Sequence, residues 1–433
     1  MLYIMGTKFR LYPEEEVEAT FCEWMGQERL LHNMAVSQYE FALTHRAYAA
    51  RPNEAVVIGR EHWPSHLERS KQLTELRKEL DWLKAGSRKV QTQALVLVDQ
   101  SYRNWWKNPG HFHRPTYRKK SGTQGFSVVG RGADFDVVKL NRKWGAVRFP
   151  KVGMVKFRLS VPFSRLEEAK SCRVTRDKAG RWWVSFPGAQ PAVERVPSGF
   201  AVGLDMGVVT TVATSDGEQL CMPELSSPGV ARRKKLLQRK LSRQQKGSRR
   251  RERTRRSLAK LSAREAARRR DWVEKTTTQL VRDHDVVVME DLKVVNMLGT
   301  PEPKEDPEHP GTYLPNGASA KAGLNRSIQR QSWGAFRTRL AQKAQASGVT
   351  VIAVNPAFTS QRCSACGDTR KENRESQAVF SCRACGHHDN ADVNAAKNIL
   401  AAGLAVNGRG GELQQETAEG DPMKRQLPGV LAA

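Results

Sequence analysis

Cysteine is scarce in this 433-residue chain, at 7 in all, and acidic residues are outnumbered by basic ones. Three of the cysteines, Cys22, Cys172 and Cys221, are scattered without a pairing pattern. That excludes the disulfide framework of a small secreted domain and fits a reducing, cytoplasmic compartment. No apolar run approaches the roughly 20 residues of a membrane span. The opening stretch, MLYIMGTKFRLYP, lacks the apolar core of a secretory leader. Internal repeats, which would mark a solenoid, are missing as well. The shortage of acid says most: 45 Asp and Glu against 72 Lys and Arg leave a net charge of +27. Such an excess calls for a polyanion, nucleic acid far more than acidic lipid, and no membrane partner is expected.

The other four cysteines stand close together near the C-terminus. Cys363 and Cys366 lie in C-S-A-C-G, and Cys382 and Cys385 in C-R-A-C-G, with 15 residues between the pairs. Each pair suits a tight turn that its following glycine permits, and four thiolates close a tetrahedron around one zinc ion. No position is left for water, so the ion would be structural. Two complete pairs also leave no vacancy for His387 or His388.

Carboxylates at the ends of apolar runs are the candidates for chemistry. Asp205 ends F-A-V-G-L-D, and Glu290 ends V-V-V-M-E, a continuous run typical of a strand buried on both faces. Asp392 opens D-V-N-A-A-K-N-I at the start of a predicted helix, six intervening residues after Cys385. Acids at the ends of adjacent strands, with a third at a helix start, can converge on one crevice. Clustered, they repel each other and raise their own pKa values unless divalent cations relieve the repulsion. Oxygen ligands favour Mg²⁺ or Mn²⁺ over zinc. Two such ions, about 4 Å apart, are what phosphodiester cleavage uses. The order strand-Asp, buried strand-Glu, helix-Asp is that of an RNase H-like α/β core. A strand-terminal Asp is by itself more often a turn former. Asp291 and Asp389 are the competing assignments, although strand alternation turns Asp291 away from the face of Glu290.

Elsewhere the chain reads as multidomain α+β. A strand, Lys8 to Tyr12, precedes a helix from Glu14 to about Arg46, with Phe21, Trp24, Leu30, Met34 and Tyr39 at helical spacing. A second helical stretch, about His66 to Trp106, carries Leu67, Leu73, Leu76, Leu80 and Leu83 as one apolar stripe. From Pro109 to Pro197 short β-prone runs recur at barrel-like spacing. Before them, YRNWWKNPGHFHRPTYRKK interleaves aromatic and basic residues, a composition suited to stacking on bases. Residues 231–270 hold 19 Lys or Arg and 2 Glu, a net +17, as two helices broken at Gly247-Ser248. That charge repels itself unless a polyanion neutralises it, so Arg249, Arg250, Arg251, Arg253, Arg255 and Arg256 are candidate nucleic-acid contacts. Residues 301–323 read as an exposed loop, and the tail from 406 to 433 as disordered.

Together, K-F-R-L-Y-P, G-L-D-M-G, the basic helices, V-V-V-M-E-D-L, N-P-A-F-T-S-Q-R-C-S-A-C-G, N-R-E-S-Q-A-V-F-S-C-R-A-C-G and D-V-N-A-A-K-N-I resemble the TnpB family of insertion-sequence proteins. They also resemble the compact type V CRISPR effectors related to it. The resemblance spans nearly the whole chain and implies an RNA-guided DNA endonuclease with a RuvC-like nuclease core. It implies that Asp205, Glu290 and Asp392 are the metal-binding catalytic triad, with Arg374 as an auxiliary basic residue. It further implies a wedge-like β-barrel over 1–13 and 112–199, a helical recognition domain over 14–111, the nuclease core over 200–360 and 386–405, and an inserted zinc ribbon over 361–385. Partners would be a guide RNA and target double-stranded DNA, with specificity delegated to base pairing and a monomer seated on one RNA. The alternatives are a repressor that binds without cutting, a strand transferase or its accessory protein, and a zinc-ribbon RNA-binding protein. The intact acids, the lack of a metal-binding His pair with a nucleophilic Tyr, and the strand-end carboxylates weigh against these in turn.

Overall fold

The computed structural model describes residues 3–49, 65–120, 122, 124–190, 193–309 and 311–413. The chain divides into two compact units, Met1–Gln190 with Gln245–Lys260, and Pro191–Gln244 with Leu261–Ala433. Both mix helices and strands.

In the first unit, β1 (Tyr3–Tyr12) leads into α1 (Glu15–Ala49), α2 (His66–Glu79), α3 (Asp81–Ala85) and α4 (Arg88–Lys107). Then follow β2 (Gln124–Val129), β3 (Asp136–Lys139), β4 (Trp144–Phe149), β5 (Gly153–Arg158), β6 (Ser171–Arg176) and β7 (Trp182–Gln190). The seven strands form one antiparallel sheet in the order β2-β6-β7-β1-β5-β4-β3. β1 is longer than its alternating core because it pairs with β7 from Tyr3↔Gln190 to Leu11↔Trp182. Among the described residues, no pairing between the edge strands β2 and β3 closes the sheet into the expected barrel. Its core is completed by a helix instead: Phe21 and Trp24 of α1 lie 5.1 and 5.3 Å from the Phe126 ring of β2. A division at residue 14 therefore does not separate two cores, since Phe21, Trp24 and Met25 belong with the sheet.

A second core joins Leu31, Ala35 and Tyr39 of α1 to Leu73, Leu83 and residues of α4. Here Leu31 takes the inward position expected of Leu30, which is 45% exposed. The helical stretch expected over about 66–106 is divided into three helices. Leu80 leaves helical geometry, and Arg77 donates to the carbonyls of Leu83 and Lys84 at 2.9 Å, tying α3 back against α2. Leu67, in the first turn of α2, lies outside the stripe, 64% exposed.

The second unit contains β8 (Ala201–Asp205), β9 (Val212–Thr214), β10 (Gln219–Leu220) and α5 (Pro228–Arg243). The long α6 (Arg249–Asp283) starts in the first unit and ends in the second. After it come β11 (Val286–Glu290), α7 (Val294–Met297), β12 (Lys304–Glu305), β13 (Tyr313–Leu314), α8 (Ala318–Gln331), α9 (Trp333–Ser347) and β14 (Thr350–Val354). The chain closes with β15 (Val379–Ser381), β16 (His388–Asn390) and α10 (Ala391–Leu413). A five-stranded sheet runs β10-β9-β8-β11-β14, with β8, β11 and β14 parallel. Two differences from expectation are local: β12 and β13 pair within the 301–323 loop, and α10 runs past 406 to Leu413. Residues 414–433 lie outside the described ones.

Strand alternation organises this unit. Val202 and Leu204 of β8 and Val287 and Met289 of β11 pack with Leu280 of α6 and Phe336 and Leu340 of α9. Val288, between them, packs with Ile399 of α10 on the opposite face. Helices on both faces explain why β11 is apolar without interruption. α10 comes unusually close to the sheet. A Cβ on Gly203 would sit 2.1 Å from the Ala396 carbonyl oxygen, and one on Gly403 2.3 Å from a Val288 methyl. Only glycine fits at either point. Among the described residues, no helix is long and apolar enough to cross a membrane.

Candidate active site and metal centre

The face of the sheet that carries α10 also carries the acids. Parallel pairing sets Leu204 opposite Met289, so Asp205 and Glu290 end neighbouring strands at one level. They share the side of Gly203 and Val288, the side on which α10 packs. Asn390 caps α10, its Oδ1 accepting from the amides of Asp392 at 3.0 Å and Val393 at 3.2 Å. Asp392 thus sits in the first turn, and a Cβ added to Gly207 would lie 3.9 Å from its Oδ2. Arg374 reaches the same place, its Nη2 lying 3.2 Å from Asp392 Oδ1. All four sequence candidates are brought together here.

The electrostatics follow from that crowding. Burial, then the charges of Glu290 and Asp392, push the Asp205 carboxyl up to about 7, against a smaller opposing pull from Arg374. Burial also raises Glu290, partly offset by a hydrogen bond from Thr359. Asp291 is different in kind. Alternation places it on the opposite face, where Lys293 Nζ at 2.7 Å and Arg337 of α9 at 2.8 Å bond its carboxylate and hold its pKa down. Asp389 is likewise engaged, with Lys397 Nζ at 2.7 Å.

The four cysteines form a second centre. Their sulfurs all lie within 4.8 Å of one another, with Cys363–Cys385 at 3.7 Å and Cys366–Cys382 at 3.6 Å. Four sulfurs each about 2.3 Å from one ion stand about 3.8 Å apart, so this cluster can hold a tetrahedral metal. The two turns are equivalent. Gly367 and Gly386 adopt φ of 80° and 72°, and their amides donate to the carbonyls of Cys363 and Cys382, both at 3.0 Å. Amides of Cys385 and Ala384 hold the Cys382 thiol down to about 7 despite its burial. Cys366, although the Asp368 amide pulls the other way, is pushed up to about 12 by the surrounding thiols. His387 and His388 stand outside the cluster, near Asp389 and Ser381.

The basic segment is exposed over most of its length. α5 has no buried residue, and Arg249, Arg250 and Arg253 face solvent. Glu252 pairs with Arg255 at 2.7 Å and Arg256 at 3.6 Å. The aromatic-basic stretch is partly consumed internally: Tyr102 stacks on Tyr39 in the helical core, and Arg114 and Arg118 pair with Glu40 and Glu28. Trp106, Phe112 and Tyr117 remain exposed. Sequence reasoning missed Thr359, whose hydroxyl bonds Glu290, and Asn394 and Asn398 of α10. All three lie inside motifs that drew notice for other residues.

A mixed α/β protein with buried strand-end acids beside a four-cysteine knuckle is the class these features define. Residues 184–300 match the family described as "Probable transposase", and residues 333–399 match "Cas12f1-like, TNB domain". The chain is 33% identical to "Putative RNA-guided DNA endonuclease InsQ" of Escherichia coli (strain K12), over 100% of both chains. It is 30% identical to "Putative RNA-guided DNA endonuclease" of Streptomyces pristinaespiralis, over 93% of this chain and 90% of that one. A solved structure, "Cryo-EM structure of the Cas12f1-sgRNA-target DNA complex", aligns at 14% identity and a TM-score of 0.46, covering 92% of this chain and 98% of that one. The chain belongs to the TnpB family of insertion-sequence proteins.

Proposed function

We propose that this protein is an RNA-guided DNA endonuclease whose RuvC-like site is Asp205, Glu290 and Asp392. The observation that carries the reading is the convergence of three acids on one buried face, where burial first and then the charges of Glu290 and Asp392 push Asp205 up to about 7. A fold gains nothing from such repulsion unless a cation relieves it. The donors are all carboxylate oxygens, which suit Mg²⁺ or Mn²⁺ and not a thiophilic ion. Bound there, divalent cations would supply Lewis acidity toward the attacking water and the departing 3′ oxygen of a phosphodiester.

The chain's own residues do the rest. Glu290 and Asp205 present their oxygens from the rigid ends of two hydrogen-bonded strands, and α10 presents the third from its first turn. Arg374, beside Asp392, is placed to bind a phosphate oxygen once that carboxylate is engaged elsewhere. The basic run, including Arg249, Arg250, Arg251, Arg253, Arg255 and Arg256, would lie along nucleic-acid backbone. A zinc ion in the cysteine centre would be structural, since four thiolates leave no open position. Guide RNA would provide sequence recognition of double-stranded target DNA, with one protein chain on one RNA in the cytoplasm. The wedge and recognition roles fall to the sheet and the helices of the first unit.

The test is to purify the protein with the RNA it carries, sequence that RNA, and offer matched and mismatched duplexes with Mg²⁺. Cutting of the matched duplex alone is the expected result. Tight guided binding without cutting would favour a repressor, and neither would remove the reading.

A further inference from the structure

Glu290 does not stand free at the end of its strand. Thr359, itself buried, donates from Oγ1 to Glu290 Oε1 at 2.6 Å, while the Pro356 carbonyl lies 3.1 Å from the same threonine Oγ1. A hydroxyl has one proton, and the shorter, charge-assisted contact takes it. Thr359 in turn is fixed through its backbone. Its carbonyl accepts from Asn398 Nδ2 at 3.0 Å, and that nitrogen also lies 2.6 Å from the carbonyl of Arg362. Asn394, one turn earlier on α10, donates to the Arg362 carbonyl at 2.7 Å and accepts from the Ser364 amide at 2.9 Å. Both asparagines are buried. Residues 359–364, which run from Glu290's partner through the metal ligand Cys363, are thus clipped at both ends to the helix that carries Asp392.

The turn entering this strap is strained. Phe358 has φ of 66°, a left-handed conformation costly for a bulky side chain, and its carbonyl accepts the amides of Gln361 and Arg362 at 3.0 Å. Such strain persists only where surrounding contacts over-determine it, and it gathers at functional sites.

We propose that Thr359 is a positioning residue for Glu290, and that Asn394 and Asn398 make the four-cysteine centre part of the support of the acidic site. The hydroxyl occupies one carboxylate oxygen and so fixes the direction in which the other faces a bound cation. The inference rests on the acidic-site reading above.

The experiment measures Mn²⁺ binding to the full, zinc-loaded chain by the loss of the free-ion paramagnetic resonance signal, beside cleavage of matched DNA. Thr359→Val keeps the shape and removes the hydroxyl. It is expected to weaken Mn²⁺ binding by about 10–100-fold, the usual cost of losing a partner that orients a ligand, with zinc content and melting midpoint retained. Thr359→Ser should restore most of the loss, and Thr359→Ala repeats the test if the valine variant does not fold. Asn398→Ala should weaken binding less than additively with Thr359→Val, because both act through one strap. Wild-type Mn²⁺ affinity in Thr359→Val, or a serine variant as defective as the valine one, would overturn the positioning role. Full additivity would remove the strap. Asp205→Asn is the reference: if it too binds Mn²⁺ normally, the acidic-site reading has failed and this inference with it. If Asp205→Asn alone loses binding, only the role of Thr359 falls.

Discussion

The Asp205 carboxyl is held at about 7 in the metal-free fold by burial and by Glu290 and Asp392, whereas in the unfolded chain it ionises in the ordinary aspartate range. Between those values the folded protein keeps a proton that the unfolded chain has released. Stability of the metal-free protein therefore falls as pH rises through that window and levels off above it. Asp205→Asn removes the penalty. At about pH 8 without metal the variant should melt above wild type, by a few kcal/mol at most at about 1.4 kcal/mol per pKa unit. The gap should close toward about pH 4, and melting curves across that range check it. Single residues divide by how they announce themselves. The three acids of the candidate site stood out because each ends an apolar run or opens a helix, and the cysteines because two C-x-x-C pairs have the spacing of metal ligands. Thr359, Asn394 and Asn398 did not, since a hydroxyl or amide that serves a neighbour leaves no periodicity and is meaningful only once the chain has folded back.

At the scale of elements, the approach of α10 to β8 is what brings Asp392 to Asp205. Gly203→Ala would drive a Cβ to 2.1 Å from the Ala396 carbonyl oxygen and 2.7 Å from the Leu400 amide nitrogen. We expect a loss of about 1–3 kcal/mol in urea unfolding, as overpacking costs, together with reduced cleavage. Gly6→Ala, in β1 with nothing within 4 Å, should be near neutral. The cysteine turns give a second prediction. Cys363→Ser or Cys382→Ser should release about one zinc per chain and loosen the hairpin of β15 and β16. Metal analysis finding no zinc in well-folded wild-type protein would contradict the assignment. β11 and every strand of the first sheet except β6 were readable because burial on one or both faces leaves its pattern in the sequence; β6, S-C-R-V-T-R, sets two arginines among its few apolar residues. The breaks among α2, α3 and α4 were not, because the leucine stripe runs through them. They are held by side-chain contacts that periodicity does not record: Arg77 on the carbonyls of α3, and, from α1, the Gln27 side chain packed where a Cβ on Gly86 would be.

For the molecule as a whole, the fact to be explained is a net charge of +27, of which +17 lies in residues 231–270. Glu252 and Glu265 offset little of it, and the pairs of Glu252 with Arg255 and Arg256 are exposed, where ion pairs contribute at most about 1 kcal/mol. Replacing Arg249, Arg250 and Arg251 by Ala should weaken nucleic-acid binding alike for all guide sequences. The salt dependence of log K should fall by about 0.9 for each duplex phosphate that is no longer neutralised. An unchanged slope would make the run a solvated surface. Composition made the need for a polyanion visible, but not that residues 245–260 would fold with the first unit, because one helix crosses between the two. The central claim, that Asp205, Glu290 and Asp392 cut DNA under RNA guidance, is tested most directly by measuring cleavage and binding of one matched duplex in the same samples. Asp205→Ala, Glu290→Ala and Asp392→Ala should each abolish cutting in Mg²⁺ while guided binding stays close to wild type. Cutting near the wild-type rate by any one of the three would contradict that residue's place in the site.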